Sequence, residues 1–351
     1  MTGPNPVQVQ APVQAHEKAS EIAPSDRSTS DLQRLSPVQA HEKASANRWW
    51  IYQKERFPLA AYAPLIAAFS YDAVGYSTLA RGSGNPPGWR QAAVAFVTSL
   101  LFFLQLRLAD EFKDFEDDLH YRAYRPVQRG LVKLRELAWI AAGCAALQLL
   151  LALWLSVRLL PILGIAWAYV LLMSKEFFVA SWLKRHALVY MLTHMVITPL
   201  IFLYASACDW ITAGYTHPST GLLWMLAVGY FNGMVVEIGR KIRAPEDEET
   251  GVETYTFLWG RRNAVLAWLG VTAITAGFAY VPAREIHITR IAVSVLAPTF
   301  LVCALVAAAF LANSKKGQGK WIEGMSGLWA LLTYVSLGPL PLLLGWYGGQ
   351  R

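Results

Sequence analysis

Charge is scarce in this chain. Charged residues fill 16% of its 351 positions, against 55% for apolar ones, where a soluble domain carries about a quarter of its residues as charges. Cysteine is scarcer still. Cys144, Cys208 and Cys303 are the three, each in or at the end of an apolar block, which leaves buried free thiols and excludes a disulfide framework or a zinc spacing. The first 47 residues lack the apolar core of a signal peptide. Ionisable residues inside the apolar blocks are few, with Asp72 and His194 the main ones. A divalent-cation transporter would carry more of them, forming a path. Asp72 could bind substrate or sit near the outer surface, and a lone His between helices is more often a satisfied polar residue.

What the chain has is long apolar blocks, and they point to an all-α polytopic membrane protein. Nine can be counted, over 57–79, 89–109, 134–155, 159–179, 187–208, 221–240, 263–282, 290–312 and 325–347, each near the ~20 residues that cross a bilayer. The third and fourth are joined by a short turn at Arg158 and should form a helical hairpin. Residues 1–47 are polar and repeat Pro12–Ser20 without change at Pro37–Ser45, which reads as a disordered tail. Residues 48–351 form the membrane domain. With the N-terminus in the cytoplasm, 25 of the 31 Lys and Arg fall in inside segments, so the C-terminus is expected outside. In a prokaryote the membrane would be the inner one. The net charge of +7 follows from this asymmetry, and no nucleic-acid partner is expected.

The second block runs into Asp110-Glu111-Phe112-Lys113-Asp114-Phe115-Glu116-Asp117-Asp118. Asp110, Asp114 and Asp118 are four apart, so a continued helix puts them on one face with Asp117 beside them. Like charges at that spacing repel unless a cation joins them, and Mg²⁺ takes one or two carboxylates plus phosphate oxygens. A solvated acidic turn, neutralised by Arg122 and Arg125, is an equally ordinary use of such a run. Arg125-Pro126-Val127-Gln128-Arg129-Gly130 then sets guanidinium groups next to the carboxylates, which supplies both halves of a diphosphate site.

The sixth block ends in Glu237-Ile238-Gly239-Arg240-Lys241-Ile242-Arg243, followed by Pro245-Glu246-Asp247-Glu248-Glu249. Glu237 and Lys241 at i, i+4 read plainly as an ion pair. An acid at the end of an apolar block also faces the bundle interior as a rule, and is a functional candidate. Pro245 should end the helix.

These residues resemble the UbiA-type intramembrane prenyltransferase superfamily. Its first motif, Asn-Asp-x-x-Asp-x-x-x-Asp then Arg-Pro-Leu-x-x-Gly, is similar to Asp110-Glu111-x-x-Asp114-x-x-x-Asp118 then Arg125-Pro126-Val127-x-x-Gly130. The stretch from Gly251 to Gly260 resembles the tail of the second motif, and Lys54–Pro58 and Lys175 fall where the family keeps phosphate-binding cations. The likeness covers roughly residues 48–347. Aligned on Gly251, Asp247 meets a family aspartate while an earlier one falls on Arg243. Either Glu237 or Glu246 supplies the missing oxygen, or the second half is more basic here.

The resemblance implies a nine-helix bundle with a cytoplasm-facing cavity. It implies Mg²⁺ on Asp110, Asp114, Asp117 and Asp118, with Glu237 and Asp247 opposite, and Arg56, Arg125, Lys175 and Lys241 on a prenyl diphosphate. Asp110, Asp114 and Asp118 would be the catalytic acids. The function implied is prenyl transfer to an aromatic or other lipophilic acceptor within the bilayer. A UbiA-type terpene cyclase, acting on the diphosphate alone, is the alternative, and a divalent-cation-binding transporter the second.

Overall fold

The computed structural model describes residues 37–83 and 85–345. The first copy of the repeat lies outside them, as do residues 346–351. The chain divides into two units at Arg48/Trp49. Helix α1 (Pro37–Arg56) runs through that boundary. The second copy of the repeat, expected in a disordered tail, is therefore helical. Pro37 takes the first helical position, where its missing N–H costs nothing, and the Val, Gln, Ala, Glu and Lys that follow include no Gly or Pro.

The second unit is built of helices. Among the described residues, seven stretches are long and apolar enough to cross a bilayer alone. They contain α3 (Trp89–Lys113), α5 (Leu134–Leu155), α6 (Leu160–Ser174), α8 with α9 (Ala187–Met195 and Ile197–Trp210), α10 (Leu222–Arg240), α12 (Arg261–Glu285) and α13 (Thr289–Ala312). The pair Asn47–Arg56 and α2 (Leu59–Ala80), bent by 58°, passes the same test only when its two helices are taken together as one span. The bend falls at Phe57-Pro58, where the proline keeps the preceding residue out of the helical region. Short helices α4 (Phe115–Tyr121), α7 (Ala180–Arg185) and α11 (Tyr255–Trp259) lie in the connections.

Three expected blocks differ in detail. The fifth is broken at Val196, because Pro199 cannot donate to the Met195 carbonyl and its ring crowds it. The fourth stops at Ser174. Glu176, Phe177 and Phe178 then take φ of +46°, +52° and +61°, a left-handed turn that side chains resist and that ends a right-handed helix. The ninth is not one continuous helix. Helix α14 (Gly319–Leu337) begins earlier than expected and gives way at Gly338 to the short α15 (Pro339–Leu343). At Gly338 a Cβ would lie 2.5 Å from Asp72 Cα, so only glycine lets the chain pass α2 there.

Helices α2, α3, α9, α10 and α14 pack in a closed ring, each against the next. The α5 and α6 pair lies outside it, α5 against α3 and α6 mainly against α9, and α12 and α13 lie against α10 and α14. Lipid is as apolar as leucine, so such a ring holds by close packing and buried polar pairs rather than by apolar burial. Phe69 supplies the packing at the centre. Its ring meets Phe103, Phe202 and Tyr334 edge-on at 5.7, 5.3 and 5.2 Å. One end of the ring is closed by a buried pair. Asp209 accepts from Arg81 Nε and Nη2 at 2.8 and 2.9 Å, from Ser77 at 2.7 Å and from Thr78 at 3.0 Å. The other end carries the acidic clusters.

Candidate active site

The first cluster keeps its helical register past the end of α3. Asp114 N–H donates to the Asp110 carbonyl (2.9 Å), Asp118 N–H to Asp114 (2.8 Å), and Arg122 N–H to Asp118 (2.8 Å). Although α3 and α4 are separate helices, this unbroken i, i+4 ladder sets Asp110, Asp114 and Asp118 on one face.

The three carboxylates meet different surroundings. Asp110 has Lys113 at 3.2 Å and Arg107 at 3.5 Å. Asp118 is buried and held by Arg122 at 3.0 Å and by Arg125. Asp114 is half-buried and, among the described residues, has no ion pair. Burial pushes its carboxyl above the ordinary range, and the charges of Asp110 and Asp118 add to this against Lys113 and Arg125. The cations are crowded as well. Burial pulls the Arg125 guanidinium down, and so do the neighbouring charges of Arg56 and Arg122. Arg56 is buried and paired with the fully buried Glu111, and its carbonyl accepts from Arg107 Nε at 2.8 Å.

The second cluster is more basic than its sequence first indicates. The Glu237 carboxylate is gripped by Arg240 at 2.6 Å and Lys241 at 3.0 Å. Arg240 remains 49% exposed and lies within electrostatic reach of Asp110 and Tyr62. Lys241 sits 5.3 Å over the Tyr255 ring, and Tyr255 is in turn within reach of Tyr190. The two clusters therefore face each other across the end of the ring. At Gly251, with φ +76°, a Cβ would lie 2.3 Å from the Tyr121 ring of α4. This close approach brings the second loop onto the first.

Several expected members stand elsewhere. Asp247 Oδ2 accepts from Gly317 N–H at 2.6 Å and Glu246 from Lys316 N–H at 2.9 Å. These acids fasten their loop to the α13–α14 connection and are not joined to the first cluster. Asp117 is exposed and paired with Lys184 at 3.0 Å. Lys175 is exposed at the end of α6 and, among the described residues, makes no side-chain hydrogen bond or ion pair. Four residues of the site were not expected. Lys113 donates to the Tyr190 hydroxyl at 2.6 Å, Arg240 belongs with Glu237, and His194 stacks on Tyr190 at 3.8 Å. The i, i+4 spacing of Tyr190 and His194 and the i, i+3 spacing of Glu237 and Arg240 were visible signals for three of them.

Among the described residues no three carboxylate, His or Cys side chains converge enough to enclose a metal by themselves. The six-member ligand set is thus not gathered as expected, because Asp118, Glu237 and Asp247 are engaged by arginine, lysine or backbone donors. The donor chemistry still fits Mg²⁺, which takes one or two carboxylates and completes its shell with water and phosphate oxygens. Asp114 is the acid of the first cluster's helical face without an ion pair among the described residues, with Asp110 one turn away. The crowd of Arg56, Arg122 and Arg125, with Arg240 opposite, fits a diphosphate that would relieve its self-repulsion.

The model of the UbiA prenyltransferase family matches residues 73–325. Among solved structures, a UbiA homolog from Aeropyrum pernix K1 aligns at TM-score 0.60 and 18% identity, over 78% of this chain and 96% of that one. A digeranylgeranylglyceryl phosphate synthase aligns at 0.56 and 14%, over 83% and 97%. A UbiA homolog from Archaeoglobus fulgidus bound to GPP and Mg²⁺ aligns at 0.52 and 14%, over 82% and 99%. No curated protein matches the chain by sequence.

Proposed function

Since the chain belongs to the UbiA prenyltransferase family, we propose that it is a Mg²⁺-dependent transferase moving a prenyl group from an allylic prenyl diphosphate to a lipophilic acceptor inside the bilayer. The observation that carries this reading is an acid without an ion pair among the described residues, Asp114, beside Arg125 and the guanidinium groups crowded around it. Such an arrangement lacks both a cation and a polyanion, and a metal diphosphate supplies both.

Asp110 and Asp114 would hold the metal, which when bound neutralises the diphosphate and makes it a better leaving group. Arg125, Arg240 and Lys241 orient the diphosphate oxygens, and Glu237 fixes the last two in place. Arg56 acts from below by anchoring α1 to Glu111. Tyr190 and Tyr255 set aromatic faces beside the site, which shield an allylic cation from water. The prenyl chain runs into the ring toward Phe69. The reading includes an orientation, with the charged end in the cytoplasm. It also takes α14 with α15 as a ninth crossing, since 19 helical residues span about 28 Å. The termini then lie on opposite sides.

Mass spectrometry of lipids from membranes overproducing the protein tests this. We expect a product whose mass equals an acceptor plus a prenyl unit, absent with Asp114→Ala. The same lipid profile from both proteins would refute the assignment, and a cyclised hydrocarbon would replace transferase with cyclase.

A further inference from the structure

We infer that His194 is the catalytic base that takes the proton lost by the acceptor when it is prenylated, an inference that rests on the transferase reading and deepens it. His194 Nδ1 lies 2.8 Å from the Tyr190 carbonyl oxygen. A carbonyl only accepts, so Nδ1 carries the hydrogen and Nε2 holds a lone pair. The Thr193 hydroxyl, 3.4 Å from Nδ1, donates to the carbonyls of Val189 and Tyr190 and does not alter this. Among the described residues Nε2 has no hydrogen-bond partner, although His194 is only 6% exposed. A buried acceptor left without a donor is costly, so it needs a reason to persist in this bundle.

The ring is held on three sides. The Tyr190 ring stacks on it at 3.8 Å and 12°, Phe177 meets it edge-on at 5.9 Å and 82°, and the Tyr190 carbonyl fixes its rotation. It stands between the two clusters. Lys113, Asp110 and Glu237 are the charged groups within its reach, and Lys113 is itself bound to the Tyr190 hydroxyl. Fixed orientation, a defined tautomer and a free lone pair next to the reacting groups are what general-base work requires.

The reaction needs such a group. As the bond from the acceptor to prenyl C1 forms, the C1–O bond breaks and its electron pair leaves with diphosphate. The acceptor then holds one proton too many. Nε2 takes that proton as the acceptor–prenyl bond forms. It passes the proton to water as product and diphosphate depart. The net change is prenyl diphosphate plus acceptor–H giving prenyl-acceptor, diphosphate and a proton. The acceptor class this fits has a hydrogen on its attacking atom, as in a phenol or an electron-rich aromatic ring.

The test uses purified full-length protein, Mg²⁺ and tritiated geranyl, farnesyl and geranylgeranyl diphosphates, with lipid extract of the source membranes as the acceptor pool. His194→Asn keeps an amide N–H for the Tyr190 carbonyl but has no basic nitrogen. His194→Gln places a non-basic atom where Nε2 stands. Both are expected to keep thermal stabilisation by Mg²⁺ and prenyl diphosphate at concentrations within about threefold of wild type. Both should lose about 100-fold or more of prenylated product and divert label to free prenyl alcohol. A packing role would lower stability and rate together and leave the ratio of product to alcohol unchanged, and that result overturns the inference. Wild-type product rates in either variant also overturn it. Loss of ligand stabilisation in both variants would assign His194 to structure and do the same. If wild type itself releases no diphosphate, the transferase reading fails and the base with it, whereas an active wild type with unaffected variants removes the base alone.

Discussion

Asp209 and Asp114 lie at opposite ends of the same helix ring and differ in what surrounds them. Asp209 receives four hydrogen bonds, two of them from one guanidinium in a bidentate grip. Asp114 has two acids beside it and no ion pair among the described residues. The first is finished within the chain and holds α2 to α9. The second is left short of positive charge, next to arginines left short of negative charge. In a medium where buried charge is expensive, a closed site reads as a lock and an open one as a place for ligands.

The largest expected effect breaks this contrast in function and in stability at once. Asp114→Ala should abolish diphosphate release with little loss of stability. Asp209→Ala should leave Arg81 uncompensated and cost about 3–5 kcal/mol, read as a lowered unfolding midpoint in detergent. If Asp209→Ala spared stability and removed activity, the two ends would have been assigned the wrong way round.

Next in size is Arg240→Ala. It should raise KM for prenyl diphosphate roughly tenfold, the scale of one charge-assisted hydrogen bond, with a smaller change in kcat. An unchanged KM would remove Arg240 from the diphosphate site.

Acidity gives a subtler test. The folded protein binds a proton at Asp114 more tightly than the unfolded chain, because burial raises its carboxyl. At neutral pH the ionised group therefore costs stability that Mg²⁺ can restore, and Mg²⁺ competes with the proton. Stabilisation by Mg²⁺ should be full at neutral pH and fade as pH falls through the raised value, which lies above the ordinary ~4. Asp114→Asn should flatten that dependence. A thermal-shift series without any slope would contradict it.

The smallest effect belongs to Asp247→Ala, expected to cost about 1 kcal/mol for one backbone hydrogen bond and to change turnover less than about threefold. A loss as complete as that of Asp114→Ala would return Asp247 to the metal.

The sequence shows the helices and the first cluster more clearly than the second. Block length alone locates the spans, because a bilayer demands it. The spacing of Asp110, Asp114 and Asp118 is local and survives the break between α3 and α4. Other features are long-range and leave no local trace. Glu111 aligns with an acid of the first motif, and only the fold shows it buried against Arg56, 55 residues away. Asp247 aligns with a motif, yet its oxygen is taken by Gly317. His194 was expected to be satisfied, and one of its nitrogens is. The other is visible only when the chain is folded.

The most direct measurement is diphosphate release by the purified protein from geranyl, farnesyl or geranylgeranyl diphosphate. Release that needs Mg²⁺, stops with EDTA and is lost in Asp114→Ala is the result the account predicts. Release that persists with EDTA or in Asp114→Ala, or that wild type never shows, would contradict it.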